Sequence, residues 1–198
     1  SVPVPTIIGV LIDDFETGDF SSFPWLHGGE TGWVIDTDGY SGNYSARSGD
    51  INDGQTSELS MIVNVLYEGD IQFWSKSSSE QGGSGTIYDY LEFYIDDQPQ
   101  DLTIGGETDW NLFGINLPTG EHTLRWVYEK DNATSFGEDC VWIDRIQLPP
   151  GAVFPLNINF GDLNFDNQVN ILDIIVTVNH VAGHIDLNGQ QIENADMN

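Results

Sequence analysis

Cysteine is almost missing from this chain. Cys140 is the single one, so no disulfide can form within it. Its neighbours Val141, Trp142 and Ile143 predict a buried structural thiol rather than a nucleophile. Positive charge is nearly as scarce. Arg47, Lys76, Arg125, Lys130 and Arg145 are the only Lys and Arg, against 32 Asp and Glu, for a net charge of −27. Nucleic acid is excluded as a partner, since binding it requires a basic footprint. An anionic membrane surface would repel the chain unless calcium bridged the two. No apolar run is long enough to span a bilayer, so no membrane insertion is expected. No secretory leader is visible, so the sequence reads as a mature fragment or an excised region.

Catalytic motifs are lacking too. There is no Gly-x-Ser-x-Gly elbow, no Gly-Lys phosphate cradle and no Cys–His neighbourhood. The histidines are His27, His122, His180 and His184; none sits in a zinc-protease pattern. No pair of carboxylates is singled out among the acids. The chain is expected not to be an enzyme.

What is present falls into two parts. Up to about residue 148, alternating apolar and polar runs recur between Gly, Ser, Asp and Asn clusters: Leu59–Val65, Asp70–Lys76, Tyr88–Ile95, His122–Tyr128 and Cys140–Leu148. Short strands with turn signals and no helical period predict a mainly β sandwich or jelly roll. Residues 1–12, with two prolines, read as a linker tail entering a first strand. Residues 13–149 form the sandwich, 150–160 a Pro-Pro-Gly linker, and 161–198 a small separate module.

That module opens on a window starting at Asp162. Oxygen-bearing side chains stand at positions 1, 3, 5, 9 and 12, the spacing of an EF-hand-type calcium loop. Asp162, Asn164, Asp166 and Asp173 are the expected side-chain ligands of a Ca²⁺ ion. Gln168 would give its backbone carbonyl, and Asn170 would act directly or through water. Asn167 replaces the usual Gly at position 6, and Asp173 replaces Glu at position 12. Ile171, Ile174, Ile175, Val178 and Val181 then recur at helical spacing up to Gly183.

A calcium loop leading straight into a helix, with no helix entering it and Asp at position 12, resembles the dockerin repeat of secreted bacterial proteins. The resemblance implies docking onto a cohesin-like or neighbouring protein domain. Ile171 and Leu172 occupy positions 10 and 11, which in dockerins help choose the cohesin. Asp196 and Asn198 look like the start of a second repeat, 34 residues after Asp162.

Three phrases in the β region carry a second resemblance: Asp14-Phe-Glu-Thr-Gly-Asp-Phe20, Tyr40-Ser-Gly-Asn-Tyr-Ser-Ala-Arg47 and Trp142-Ile-Asp-Arg-Ile146. Together they resemble the MAM-like and cleaved-adhesin-like jelly rolls, and the carbohydrate-binding modules of the same fold, that accompany secreted bacterial hydrolases and proteases. The resemblance implies an extracellular or cell-surface accessory role. It also implies neighbouring first and last strands and a structural calcium there, with Glu16 and Asp144 as ligands and Asp14 and Asp19 as helpers.

Period-two alternation sorts the strand residues by face. With Ile71, Phe73, Leu91, Phe93 and Ile95 in the core, the opposite face carries Trp74, Lys76, Tyr90, Glu92 and Tyr94, joined by Arg125. Aromatic rings beside a few polar groups suit the C–H faces and hydroxyls of a polysaccharide. The other tryptophans, Trp25, Trp33, Trp110, Trp126 and Trp142, are expected to anchor the core or loops. Two functions follow: a carbohydrate-binding accessory region of a polysaccharide-degrading enzyme, or an adhesion and assembly module.

Overall fold

A computed structural model describes residues 9–155, together with Ile175, Val176, Asn179 and Gly183. The chain divides into two compact units, Ser1–Pro155 and Leu156–Asn198. In the second unit Ile175, Val176 and Asn179 are helical. The proposed ligands Asp162, Asn164, Asp166, Gln168, Asn170 and Asp173 lie outside the described residues.

The first unit is a sandwich of two antiparallel sheets. Its strands are β1 (Ile12–Asp13), β2 (Leu26–Gly29), β3 (Val34–Asp36), β4 (Ser45–Arg47), β5 (Thr56–Val65) and β6 (Gly69–Ser78). They continue with β7 (Tyr90–Ile95), β8 (Gln98–Gly105), β9 (Glu107–Leu117), β10 (Gly120–Glu129), β11 (Cys140–Gln147) and β12 (Ala152–Val153). The first sheet runs β3-β4-β11-β6-β9, with β1 also paired to β11. The second runs β12-β5-β10-β7-β8, with β2 also paired to β5. The short first strand and the last long strand therefore lie side by side, Ile12 opposite Gln147 and Asp13 opposite Ile146. Strand β12 falls inside the segment expected as a linker: Ala152 pairs with Val65, so the second sheet extends past residue 149.

Alternation explains why these segments became strands. In β5 the burial alternates without a break from Ser57 to Met61, and in β7 Leu91, Phe93 and Ile95 turn inward while Tyr90, Glu92 and Tyr94 turn out. The core is aromatic at its centre. Trp126 of the second sheet lies 5.5 Å from Phe73 of the first, 4.8 Å from Phe93 and 5.6 Å from Trp25. Trp25 closes this cluster while its ring N–H donates to buried Asp13 at 2.7 Å, so its polar atom is satisfied. Cys140 is free and fully buried; burial pushes its thiol up to about 11, which makes it inert at neutral pH.

Two bulges shape the first sheet. In β11 the register shifts between Asp144 and Gln147, with Arg145 at φ 48°. That extra residue turns Ile146 back into the core after Ile143. In the β6–β9 pair, Ser75 faces Asn111 but Ser77 faces Thr108, so Asp109 and Trp110 together oppose Lys76.

Candidate functional site

The structure divides the predicted binding residues between two sheets. Trp74 and Lys76 stand on β6 in the first sheet. Tyr90, Glu92 and Tyr94 stand on β7, and Arg125 on β10, in the second. Both sets face outward, but on opposite sides of the sandwich, so they do not form one surface. Alternation within a strand assigns inside and outside; it carries no information about which sheet a strand joins.

On the second sheet Glu92, Tyr94 and Arg125 come together and are engaged by one another or by neighbouring acids. Arg125 lies opposite Tyr94 in the ladder, with its guanidinium 4.6 Å from that ring. The same guanidinium pairs with Glu58 at 3.2 Å and Asp97 at 3.1 Å. The Tyr94 hydroxyl donates to Glu92, which pushes its pKa up to about 12. Tyr90 stands two residues before Glu92 on the same face. Few free hydrogen-bonding groups are left here for a ligand.

The first sheet is different. Tyr40 lies against Trp74 with ring centroids 3.6 Å apart and planes 12° from parallel. Trp110 meets Tyr40 edge-on at 6.1 Å. Leu112, directly opposite Trp74, is exposed, and Tyr40 is 41% exposed. Lys76 sits among them, its Nζ 4.1 Å from the Trp142 ring and 5.6 Å from that of Trp110, and it pairs with Asp38. Trp142 is covered on this side and donates to Asp36 at 3.1 Å. The result is an aromatic and apolar strip in which Tyr40 and Leu112 are exposed and Trp74 and Trp110 half-buried, with one paired cation beside it.

Tyr40 and Trp110 were not among the expected binding residues. The bulge opposite Lys76 accounts for Trp110, and its flanks held a signal: Thr108-Asp109 and Asn111 are polar, whereas Trp126 lies between Arg125 and Val127 and close to Leu124. Tyr40 belongs to a loop and has no strand period at all.

Two of the acids expected to bind calcium hold that loop. Glu16 accepts the backbone N–H of Asn43 at 2.6 Å and of Tyr44 at 2.8 Å, and the Asn43 side-chain amide at 3.1 Å. Those backbone donors hold its carboxyl below the usual range. Asp144 accepts Ser41 N–H at 2.9 Å and Arg145 N–H at 2.5 Å. It is fully buried, and burial pushes its pKa up to about 6 against the opposing pull of those N–H groups. Asp14 accepts from Glu16 N–H, and Asp19 from the Ser21 N–H and hydroxyl. These four acids do not gather as one donor set. Among the described residues, the group whose ligand atoms lie within 4.8 Å of one another is Glu80, Asp89 and Asp131.

No family model matches the chain, and no curated protein matches it. Solved structures do. TmCBM61, solved in complex with beta-1,4-galactotriose, aligns with a TM-score of 0.50 at 19% identity, over 72% of this chain and 94% of that one. The K1 cleaved adhesin domain of Lys-gingipain from Porphyromonas gingivalis W83 aligns with a TM-score of 0.51 at 15% identity, over 72% and 98%. They share its fold. At these identities the likeness extends to the β-sandwich and no further.

Proposed function

We propose that residues 9–155 form a non-catalytic carbohydrate-binding module whose binding surface is the Tyr40–Trp74–Trp110 strip. The observation that carries the reading is the Tyr40–Trp74 stack on the outer face of the first sheet, with Trp110 and exposed Leu112 beside it. A stacked aromatic pair with an exposed Tyr40 ring offers flat apolar area at little entropic cost, which suits the C–H face of a pyranose ring. That one neighbour of this fold was solved with a galactose oligomer adds support. The net charge of −27 argues for a neutral polysaccharide, since a polyanionic glycan would be repelled. Lys76 would not offset that, being paired with Asp38 already.

Glu16 and Asp144 serve this reading as positioning residues, fixing the loop that carries Tyr40. Calcium at these acids rests on the sequence resemblance alone; their oxygens accept backbone N–H groups and the Asn43 side-chain amide. In residues 161–198 we propose a Ca²⁺ site of Asp162, Asn164, Asp166, Gln168, Asn170 and Asp173, and docking to a cohesin-like protein. The ion site rests on ligand spacing, and the docking on the resemblance to dockerin repeats. The setting we propose is extracellular, in a secreted bacterial protein.

Titration of the full chain against a panel of neutral polysaccharides tests the function. Binding to at least one member is expected, and Trp74→Ala is expected to weaken it at least tenfold. If no glycan binds, an adhesion or assembly role becomes the better reading.

A further inference from the structure

No spacing pattern in the sequence links Glu80, Asp89 and Asp131. They come from three separate places: Glu80 follows β6 of the first sheet, Asp89 precedes β7, and Asp131 follows β10 of the second. Their ligand oxygens nonetheless lie within 4.8 Å of one another. That is the span of two oxygens placed about 2.4 Å either side of one ion, the Ca²⁺–oxygen distance.

The cluster is built rather than incidental. Asp89 is fully buried, and one of its oxygens accepts the Asp131 N–H at 2.9 Å. Its backbone carbonyl accepts the Ser79 hydroxyl at 2.7 Å. Asp131 is fixed in turn by accepting Ala133 N–H at 2.7 Å. After all these bonds, the second oxygen of Asp89 and one oxygen of Glu80 are buried with no partner. An ionised carboxylate left this way is costly, and it calls for a proton or a cation. The nearest basic group does not supply it. Lys130 is committed to Asp139, to Asp53 at 3.4 Å and to Ser135 at 2.7 Å. No salt bridge reaches Glu80, Asp89 or Asp131 among the described residues.

We propose that Glu80, Asp89 and Asp131 bind a divalent cation of the calcium class, which joins the end of β6 in one sheet to the ends of β7 and β10 in the other. Three carboxylates with no nitrogen or sulfur donor select a hard cation. Their irregular origin, on three loops, suits Ca²⁺ and its flexible coordination better than Mg²⁺ with its strict octahedron. The site is separate from the proposed loop at Asp162–Asp173, and each can fail without the other.

The test is calcium content and melting of the full chain, with Asp89→Asn, Glu80→Gln and Asp162→Ala compared with the unsubstituted protein. After dialysis against saturating calcium, Asp89→Asn and Glu80→Gln are each expected to hold one equivalent less. Asp162→Ala is expected to keep that equivalent, whether or not it loses another. The melting order should also invert. In EDTA, Asp89→Asn melts at or above the unsubstituted chain, because the orphan oxygen is gone while the acceptor for Asp131 N–H stays. In saturating calcium it melts below. Unchanged calcium content in both Asp89→Asn and Glu80→Gln would overturn the proposal. So would an Asp89→Asn chain that gains the same margin in EDTA and in calcium, since the cluster then carries a proton. Should Asp89→Asn fail to fold, Glu80→Gln, at a half-buried position, decides the question by calcium content alone.

Discussion

A single side chain can serve binding or folding, and at this scale the tryptophans separate cleanly. Trp126 is fully buried among Trp25, Phe73 and Phe93. Trp126→Ala should cost about 3–5 kcal/mol, read as a lower denaturant midpoint. Trp74 stands on the outer face against Tyr40, so Trp74→Ala should leave the midpoint within about 1 kcal/mol while removing glycan affinity. The buried acids give a pH prediction. Burial raises Asp89 and Asp144 from an ordinary 3.8 to about 6. Between about pH 4 and 6 the folded chain therefore holds protons that the unfolded chain has released. Their contribution to stability is largest at the acid end of that window and is lost as pH rises through about 6. Asp89 faces Glu80, Asp131, Asp139 and Lys130; the Asp131 backbone N–H and Lys130 pull its pKa the other way. In EDTA, Asp89→Asn should flatten part of the fall in melting temperature between pH 4 and 6. Trp74 and the buried Trp126 were legible from alternation within their own strands. Asp89 was not, because what isolates its oxygen is the meeting of three loops distant in sequence.

Among elements, the loop that carries Tyr40 is the one on which the proposed site depends. It is held by Glu16 and Asp144 and turns at Gly42, where φ is +87°. A Cβ at Gly42 would stand 2.4 Å from the Glu16 carboxyl carbon. Gly42→Ala should therefore cost about 1–2 kcal/mol from the backbone alone, displace Glu16, and weaken glycan binding through Tyr40. Glu16→Ala should weaken binding in the same direction without the backbone strain. Parallel titrations and thermal melts of the two variants check this. The strands differed in how plainly the sequence showed them. β5, β6, β7, β10 and β11 follow apolar alternation and were expected nearly in place. β8 and β9 were not expected. β9 reads Glu-Thr-Asp-Trp-Asn before its apolar half, and it lies at the sheet edge beside β6 alone, with little to bury on its outer face.

The chain as a whole is acidic, and within the sandwich of residues 9–155 most of the few cations are already spent. Arg47, Lys76, Arg125 and Lys130 each pair with a carboxylate. A chain of net charge −27 repels itself, and a divalent cation that binds only the folded form stabilises it by mass action. Calcium should raise the melting temperature and EDTA should lower it, with magnesium a poor substitute. The two-sheet architecture was legible in strand periodicity and turn spacing. The assignment of strands to sheets was not, and it moved the proposed binding surface: one expected face became two, and the first sheet is the one that carries stacked aromatics with an exposed ring, Tyr40. The central claim is that this strip binds a neutral polysaccharide. Calorimetric titration of the full chain with soluble oligosaccharides from any polysaccharide it retains, alongside Trp74→Ala, Tyr40→Ala and Tyr94→Ala, tests it most directly. The account predicts loss of at least tenfold in affinity for Trp74→Ala and Tyr40→Ala and little change for Tyr94→Ala. Binding that survives both first-sheet substitutions and falls with Tyr94→Ala would contradict it.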